Sequence, residues 1–316
     1  MTIFKVLEGA KTIAIGGHVR PDGDCVGSCM GMYLHLKEAY PEKEVDVYLQ
    51  NIPEALKILD KMDEIREEIP EEKEYDLFIC QDCGDKERLD FSAPLFDNAK
   101  HTFCIDHHIS NQGFAEYNYV VPEASSTSEL VYNLLDKDRI SDEVAKALYL
   151  GIVHDTGVFQ YSCATPATFR VAADLLEKKF DAPRLIQETY YQKSFAQNKI
   201  LGYALMNAEL SCDGLCISSS LRKEDMDKFG VTSKDLDGIV AQLRNTSGVE
   251  VAVFMYELEP EVYKVSLRAS NYANVSVIAQ KFGGGGHVKA AGCSMSGTPE
   301  TIMSKLMEQL ELQLRR

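Results

Sequence analysis

Short apolar runs alternate with amphipathic stretches along the first half of the chain. Four of these runs have strand-like length and are bounded by turn or helical segments, namely residues 12–17, 45–49, 75–81 and 101–105. Such alternation is typical of βαβ units around a buried parallel sheet. The pattern predicts an α/β domain in which the carboxyl ends of the strands meet at one edge.

From residue 125 the apolar positions recur at helical spacing. Three amphipathic segments each open with a hydroxyl or carboxylate residue that can cap a helix, at residues 125–135, 141–157 and 165–179. Residues 183–204 are typical of a connecting helical segment, and we place the domain boundary within it. We therefore predict a first domain at residues 1–190, a helical linker at 191–204 and a smaller α+β domain at 205–316.

The last third of the chain shows hairpin signals. Asp213-Gly214 and Glu259-Pro260 each separate two β-rich runs, which predicts two antiparallel pairs. A short helix is then expected to end near Phe282, and Thr298-Pro299 is expected to begin a final helix. The tetraglycine at residues 283–286 lies between these elements, and it is either a flexible linker or a segment where backbone must approach closely.

Composition narrows the classes of function. The 316 residues are 45% hydrophobic, which suits a globular protein of about two domains. The start of the chain carries charges at positions 5, 8 and 11, and no apolar run nears the roughly 20 residues of a membrane span, so we expect a cytoplasmic protein. A protein with a net charge of -16 is not expected to bind a long polyanion, so any nucleic-acid substrate should be short.

The nine cysteines are odd in number and scattered, which predicts reduced thiols rather than a disulfide framework. Cys80 and Cys83 have the spacing of a redox or zinc pair. No second Cys or His pair stands at zinc-finger distance, so we interpret both as small buried apolar residues.

Acidic and imidazole side chains follow three of the predicted strands. His18, Asp22 and Asp24 fall within one turn bent by a proline and a glycine, and two carboxylates this close need a counter-charge. Asp82 follows the third strand and Asp106-His107-His108 the fourth. The mixture of imidazole and carboxylate, with no thiolate required, suits manganese, iron or cobalt better than structural zinc. The alternative is an ordinary Asp-Gly turn with polar surface histidines.

Four segments resemble the signature motifs of the DHH phosphoesterase superfamily. They are HVRPDGD, the aspartate of ICQDCGD, IDHH and GIVHDTG, in that order. In addition, LRASNYANVSVIAQKFGGGGHVKAAG resembles the GGGH-type signature of the DHH-associated C-terminal domain, so that the two resemblances cover nearly the whole chain. The compact two-domain form is similar to the group of nanoRNases and pAp phosphatases. Cys83 departs from the small hydroxyl or alanine residue usual in the second motif.

The resemblance implies two metal ions per active site, with Mn²⁺ expected and Co²⁺ or Mg²⁺ as substitutes. His18 and Asp22 would bind one ion, Asp24 and His107 the other, and Asp82 would bridge them. The remaining residues implied by the resemblance are Asp155 as a further ligand, Asp106 as the acceptor that orients an imidazole, and His108, Arg268, Gly285, Gly286 and His287 as contacts to the substrate. Asp82, His107, His108 and Asp155 would form the catalytic set, while Lys281 and Lys289 are either solvated or phosphate-binding.

The resemblance implies hydrolysis of short RNA oligonucleotides or of 3'-phosphoadenosine 5'-phosphate (pAp) by a metal-activated hydroxide, in a cleft between the domains. An alternative is a phosphodiesterase for cyclic di-AMP or linear pApA. Another is a nucleotide-binding sensor without turnover. Family II pyrophosphatases share the first-domain motifs but lack the GGGH signature. The sequence leaves the oligomeric state open, a homodimer included.

Overall fold

The computed structural model describes residues 3–70 and 73–314. Its contacts divide the chain into two compact units, Met1–Gln192 and Lys193–Arg316. The fold class predicted from the sequence is confirmed, since a parallel α/β unit is followed by a smaller α+β unit.

The first unit is built on a five-stranded parallel sheet with the order β2-β1-β3-β4-β5. Its strands are β1 (Thr12–Gly16), β2 (Glu44–Tyr48), β3 (Leu77–Gln81), β4 (His101–Asp106) and β5 (Tyr117–Val120). The four predicted strands are confirmed. The fifth was not predicted, because it is a four-residue, partly exposed edge strand without a long apolar run.

Helices cover the sheet of the first unit. They are α1 (Ile3–Gly9), α2 (Gly23–Ala39), α3 (Ala93–Asn98), α4 (Thr127–Leu134), α5 (Asp142–Asp155), α6 (Pro166–Leu176) and α7 (Ala182–Ile186). The three predicted helices are α4, α5 and α6, and they begin where the sequence indicates. The side chains of Ser126, Ser141 and Thr165 accept hydrogen bonds from backbone amides in the first turn of these helices.

A stripe of glycines brings α2 against α5. Gly23, Gly27 and Gly31 are spaced by four residues, so they share one face of α2. A Cβ atom at Gly27 would lie 2.6 Å from the carbonyl oxygen of Ala147 and 2.7 Å from the backbone nitrogen of Gly151. The two backbones therefore touch here, which sets the beginning of α2 beside the end of α5.

Apolar side chains alternate between the two faces of the parallel sheet. Ile13, Ile15 and Ile79 pack with α2, α4 and α5 in the larger core. Phe78 and Cys80 point the other way, into a smaller core that also contains Cys83. Both cysteines are fully buried free thiols, as the sequence predicted.

The second unit contains a six-stranded sheet with the order β10-β11-β9-β8-β7-β6. The strands are β6 (Glu209–Ser211), β7 (Cys216–Leu221), β8 (Val251–Glu259), β9 (Val262–Ala269), β10 (Gly285–His287) and β11 (Ala290–Ser296). The helices are α8 (Phe195–Met206), α9 (Lys223–Phe229), α10 (Ile239–Arg244), α11 (Val275–Lys281) and α12 (Pro299–Leu314). Both predicted hairpins are confirmed, as antiparallel β6–β7 and β8–β9.

The segment predicted as a helical linker and the tetraglycine segment both contribute regular structure to the second unit. Within the segment predicted as a linker, α8 buries Ile200 and Ala204 completely in the core of this unit. The alternative of a flexible tetraglycine linker is wrong, because Gly285 and Gly286 belong to β10 and pair with β11. Across the described ranges, no helix combines the length and apolarity needed to cross a membrane.

Candidate active site

Asp82 lies at the centre of the polar residues at the strand ends. Its φ of 55° is left-handed, which is rare for a residue with a side chain and is a strained conformation often found at functional sites. One carboxylate oxygen, Oδ2, is 3.5 Å from Nε2 of His18, and the other, Oδ1, is 3.7 Å from Nε2 of His107. The two oxygens of this almost fully buried carboxylate thus face two different imidazoles.

His18 and Asp22 form the first group of donors. The Nδ1–H of His18 donates to the carbonyl oxygen of Val19 over 2.9 Å, and since a carbonyl only accepts, Nε2 of the neutral ring keeps its lone pair. That Nε2 atom is 3.7 Å from Oδ2 of Asp22. Burial lowers the pKa of His18, but the nearby carboxylates of Asp22 and Asp82 outweigh burial and raise it to about 11. Positive charge is therefore strongly favoured at this position.

Asp24, His107 and Asp155 form the second group. Nε2 of His107 is 3.0 Å from Oδ2 of Asp155, while its Nδ1–H points to the carbonyl oxygen of Ala124 at 3.4 Å. Burial raises the pKa of Asp155 to about 6. Burial and the nearby charge of Asp82 likewise raise the pKa of Asp24, a fully buried carboxyl. Two carboxyl groups share one imidazole here, and a bound cation would favour the ionised forms that burial disfavours.

The first turn of α4 fixes Asp24. The backbone N–H groups of Thr127 and Ser128 donate to its two oxygens over 2.6 and 2.9 Å. These amides have no partner within the helix, and the positive end of the helix dipole favours a carboxylate there. In addition, the hydroxyl of Thr127 donates to Oδ1 of Asp82 over 3.2 Å. This role of Thr127 was not predicted, although the run Ser125-Ser126-Thr127 marks a helix start.

His108 is oriented by Asp106. Its Nδ1–H donates to Oδ1 of Asp106 over 2.7 Å, and the side-chain amide of Asn111 donates to Oδ2 over 2.7 Å. The hydrogen bond to Asp106 raises the pKa of His108, against the lowering effect of burial. Asp106 is itself fully buried. It therefore holds the imidazole of His108 in one orientation, as a carboxylate beside a functional histidine does.

The donors fit divalent metal ions. Among the described residues, three groups have potential ligand atoms within 4.8 Å of one another: His18, Cys25 and Asp82; Asp82, His107 and His108; and Asp24, His107 and Asp155. Imidazole nitrogens and carboxylate oxygens are suitable ligands for first-row divalent ions, and the clustered carboxylates require positive charge. Cys25 was not among the ligands that the sequence predicted.

Arg268 and His287 share one face of the second sheet. Each is paired with Ala290 of β11, Arg268 from β9 and His287 from β10, and directly paired residues in a sheet point to the same side. Two strand spacings separate them, about 10 Å. Gly286 has a φ of 140°, and a Cβ atom there would lie 2.5 Å from the carbonyl oxygen of Ala290. Only glycine fits this approach of the two strands.

Two lysines beside the glycine segment have partners within the unit. The ammonium of Lys281 donates to the side chain of Gln309, and that of Lys289 donates to the carbonyl oxygen of Asn271. These contacts stabilise α12 against α11 and the loop after β9. Lys281 is exposed and Lys289 partly exposed, so solvated charge and phosphate binding both stay predictions for these two residues.

Glu250 fixes the backbone that follows Arg268. It is 2% exposed and accepts hydrogen bonds from the backbone N–H groups of Asn271, Tyr272 and Ala273. Burial alone would raise the pKa of Glu250, but these hydrogen bonds outweigh it and lower the pKa. A buried carboxylate thus holds the loop between β9 and α11 in place.

The fold and the two groups of donors beside Asp82 point to one class of protein. Residues 12–152 match the N-terminal domain of the DHH family, and residues 215–313 match the DHHA1 domain. The chain belongs to the DHH family, in the form that carries a DHHA1 domain, and the resemblance seen in its motifs is confirmed.

Several known proteins are similar to this chain over nearly its whole length. The bifunctional oligoribonuclease and PAP phosphatase NrnA of Bacillus subtilis (strain 168) is 31% identical over 98% of this chain and 96% of its own. The crystal structure of an exopolyphosphatase-related protein from Bacteroides fragilis gives a TM-score of 0.90 at 28% identity, covering 99% of this chain and 96% of that one. A more distant relative, the cyclic-di-AMP phosphodiesterase PdeA of Listeria monocytogenes serotype 1/2a (strain 10403S), is 25% identical over 91% of this chain and 45% of its own. The family and these relatives support a phosphoesterase activity.

Proposed function

We propose that the protein is a metal-dependent phosphoesterase that hydrolyses short RNA oligonucleotides and pAp. The observation that carries the proposal is the carboxylate of Asp82, whose two oxygens face His18 on one side and His107 on the other. The name of the relative from Bacillus subtilis supports the substrate class. The net charge of -16 also favours a short substrate, because a long polyanion would be repelled.

Two manganese ions are the cofactor that we propose. His18 and Asp22 would hold one ion, and Asp82 would bridge to a second ion held by Asp24, His107 and Asp155. When bound, two such ions supply a water whose pKa is near 7 and stabilise the charge that develops on the phosphoryl oxygens. The imidazole and carboxylate donors suit Mn²⁺, and Co²⁺ or Mg²⁺ would be substitutes.

The other residues orient the ligands and the substrate. Carbonyl oxygens accept the Nδ1–H of His18 and of His107, which leaves both Nε2 lone pairs for a metal. Asp106 holds the ring of His108 so that its remaining edge can meet a substrate phosphate. We assign Arg268 and His287 to a terminal phosphate of the substrate, with Gly285 and Gly286 allowing its close approach to backbone.

The experiment is a side-by-side assay of the purified chain with Mn²⁺ on pAp, a trinucleotide, pApA and cyclic di-AMP. Asp82→Asn should lower kcat/KM for pAp and the trinucleotide by about 100-fold or more, equivalent to ~2.7 kcal/mol of transition-state stabilisation. Asp85→Asn, an exposed aspartate three residues later, is the matched control and should retain activity. Normal metal content and turnover in Asp82→Asn would show that the bridging assignment is wrong.

The second candidate function is hydrolysis of cyclic di-AMP or pApA, which the similarity to the phosphodiesterase PdeA favours. Faster turnover of the cyclic dinucleotide than of pAp and the trinucleotide would select it over our proposal. Binding of all four compounds by calorimetry, with no product at excess Mn²⁺, would instead identify a nucleotide sensor and refute both hydrolytic functions.

A further inference from the structure

A left-handed turn follows Asp155. Gly157, Val158 and Phe159 have φ values of 56°, 57° and 62°, so three consecutive residues lie in the region that residues with side chains rarely adopt. For Val158 the branch at Cβ makes this conformation an outlier. Such strain persists only where the surroundings impose it, and it is concentrated at functional sites, so the turn calls for a functional explanation.

Thr156 holds the turn together. Its fully buried hydroxyl donates to the carbonyl oxygen of Ile152 over 2.6 Å and accepts the N–H of Phe159 over 3.0 Å. The carbonyl oxygen of Thr156 accepts the N–H of Tyr161 over 2.9 Å. The backbone of Tyr161 is therefore fixed to the end of α5, the helix that carries Asp155.

The ring of Tyr161 lies against the backbone of Gly157. A Cβ atom at Gly157 would be 2.5 Å from Cζ of the ring and 2.7 Å from both Cε1 and Cε2, so the glycine meets a face of the ring rather than its edge. Any side chain at position 157 would displace the ring. Since Tyr161 is nevertheless 46% exposed, the other face of its ring is open to solvent.

This ring is close to the donor group formed by Asp24, His107 and Asp155. Consecutive Cα atoms are about 3.8 Å apart, so the Cα atoms of Gly157 and Asp155 are at most about 7.6 Å apart. A nucleoside joined to a phosphate at this donor group is therefore long enough to reach the ring. Every nucleobase has an aromatic face, so an exposed tyrosine can stack on any of the four without selecting a sequence.

We propose that Tyr161 is the stacking contact for the nucleobase of the substrate. It favours nucleotides over phosphate esters that lack a base, and it does so for any base. The strained turn and Gly157 hold the ring in place for this contact. This inference rests on the proposed function, because it requires a phosphate ester at the Asp155 side of the site.

The experiment compares pAp with its abasic analogue, in which a hydrogen atom replaces the adenine, using the full chain with Mn²⁺. In the wild type, KM should be about tenfold higher for the analogue, equivalent to ~1.4 kcal/mol, as expected for the loss of one stacked base. Tyr161→Ala should raise KM for pAp about tenfold, with kcat and the KM for the analogue both within about threefold of the wild type. Tyr161→Leu, which still covers Gly157, should behave as Tyr161→Ala does, whereas Tyr161→Phe keeps the aromatic face and should behave as the wild type does.

Tyr117→Ala is the matched control. Tyr117 is a partly exposed tyrosine at the start of β5, at the opposite edge of the sheet from the site, so its loss should change neither KM. Three results would overturn the stacking role and leave the proposed hydrolysis intact: an unchanged KM for pAp in Tyr161→Ala, an equal rise in KM for both compounds, or a Tyr161→Phe variant as weak as Tyr161→Ala. Absence of product from pAp and from a trinucleotide with the wild type would refute the proposed function and this inference with it.

Discussion

Any side chain at position 151 would collide with residues of the candidate site. A Cβ atom there would lie 1.9 Å from Oγ of Ser128 and 2.6 Å from Oδ1 of Asp24. Neither neighbour has space to retreat, because both are fully buried and the backbone N–H groups of Thr127 and Ser128 hold the carboxylate of Asp24. Gly151→Ala must therefore separate α4 from α5 or displace Asp24.

Two opposing effects set the size of this change. Overpacking a buried contact costs about 1–3 kcal/mol, and contacts this short call for the top of that range. Replacing glycine by alanine inside a helix stabilises the helix by about 1 kcal/mol. The net loss is about 2 kcal/mol in the free energy of unfolding. For a unit of this size it corresponds to a decrease in Tm of roughly 4–8 °C.

Thermal unfolding of the full chain by calorimetry measures the effect, and Gly202→Ala is the matched control. Gly202 lies within α8, and a Cβ atom there would meet nothing within 4 Å, so the same substitution should stabilise the protein by about 0.5–1 kcal/mol. Because Asp24 is a proposed ligand, Gly151→Ala should also weaken Mn²⁺ binding. An unchanged Tm together with unchanged Mn²⁺ affinity would refute the packing argument.

Three further predictions concern groups that hold the site or its substrate. Thr127→Val keeps the backbone N–H that binds Asp24 but removes the hydroxyl that donates to Asp82. The affinity for Mn²⁺, measured by calorimetry, should therefore fall about tenfold. Thr127→Ser keeps a hydroxyl and should bind Mn²⁺ nearly as the wild type does, and equal affinities in the two variants would contradict this role. The folded pKa of Glu250 is lowered, so its stabilisation is complete above about pH 4.3, the usual value for glutamate, and is lost as the pH falls through the folded pKa. Glu250→Gln should therefore lower the free energy of unfolding, measured with urea, by about 1–3 kcal/mol at pH 7 and by much less at pH 3, and an equal loss at both would be inconsistent with this sign. Arg268→Ala and His287→Ala should each raise KM for pAp about tenfold with kcat within about threefold, and an unchanged KM in both variants would exclude a role in binding phosphate.

The sequence predicts the strand-end residues of the site because their position follows from a simple rule. His18, Asp82 and His107 each come after a buried strand of a parallel sheet, and the carboxyl ends of such strands meet at one edge. The observed distances around Asp82 agree with that expectation. Local patterns therefore suffice for residues whose placement depends on the sheet alone.

Contacts between distant helices were not predictable in the same way. The amide of Thr127 binds Asp24 across 103 positions, and nothing in the run of hydroxyl residues before it specifies that partner. The glycine spacing at Gly23, Gly27 and Gly31 was visible in the sequence, but it does not tell which helix packs on that face. The sequence did not single out Cys25, and only the folded structure shows that its thiol lies beside His18 and Asp82.

The conformation of Asp82 shows how the chain itself fixes the proposed central ligand. A left-handed φ costs a residue with a side chain roughly 1–2 kcal/mol, so it persists only where the surroundings determine it. Here the backbone N–H of Asp82 donates to the carbonyl oxygen of Ile105, and the hydroxyl of Thr127 donates to its carboxylate. Because these contacts exist within the protein, the ligand is held in position before an ion binds. Changes to such supporting residues should therefore weaken metal affinity more than they weaken the fold.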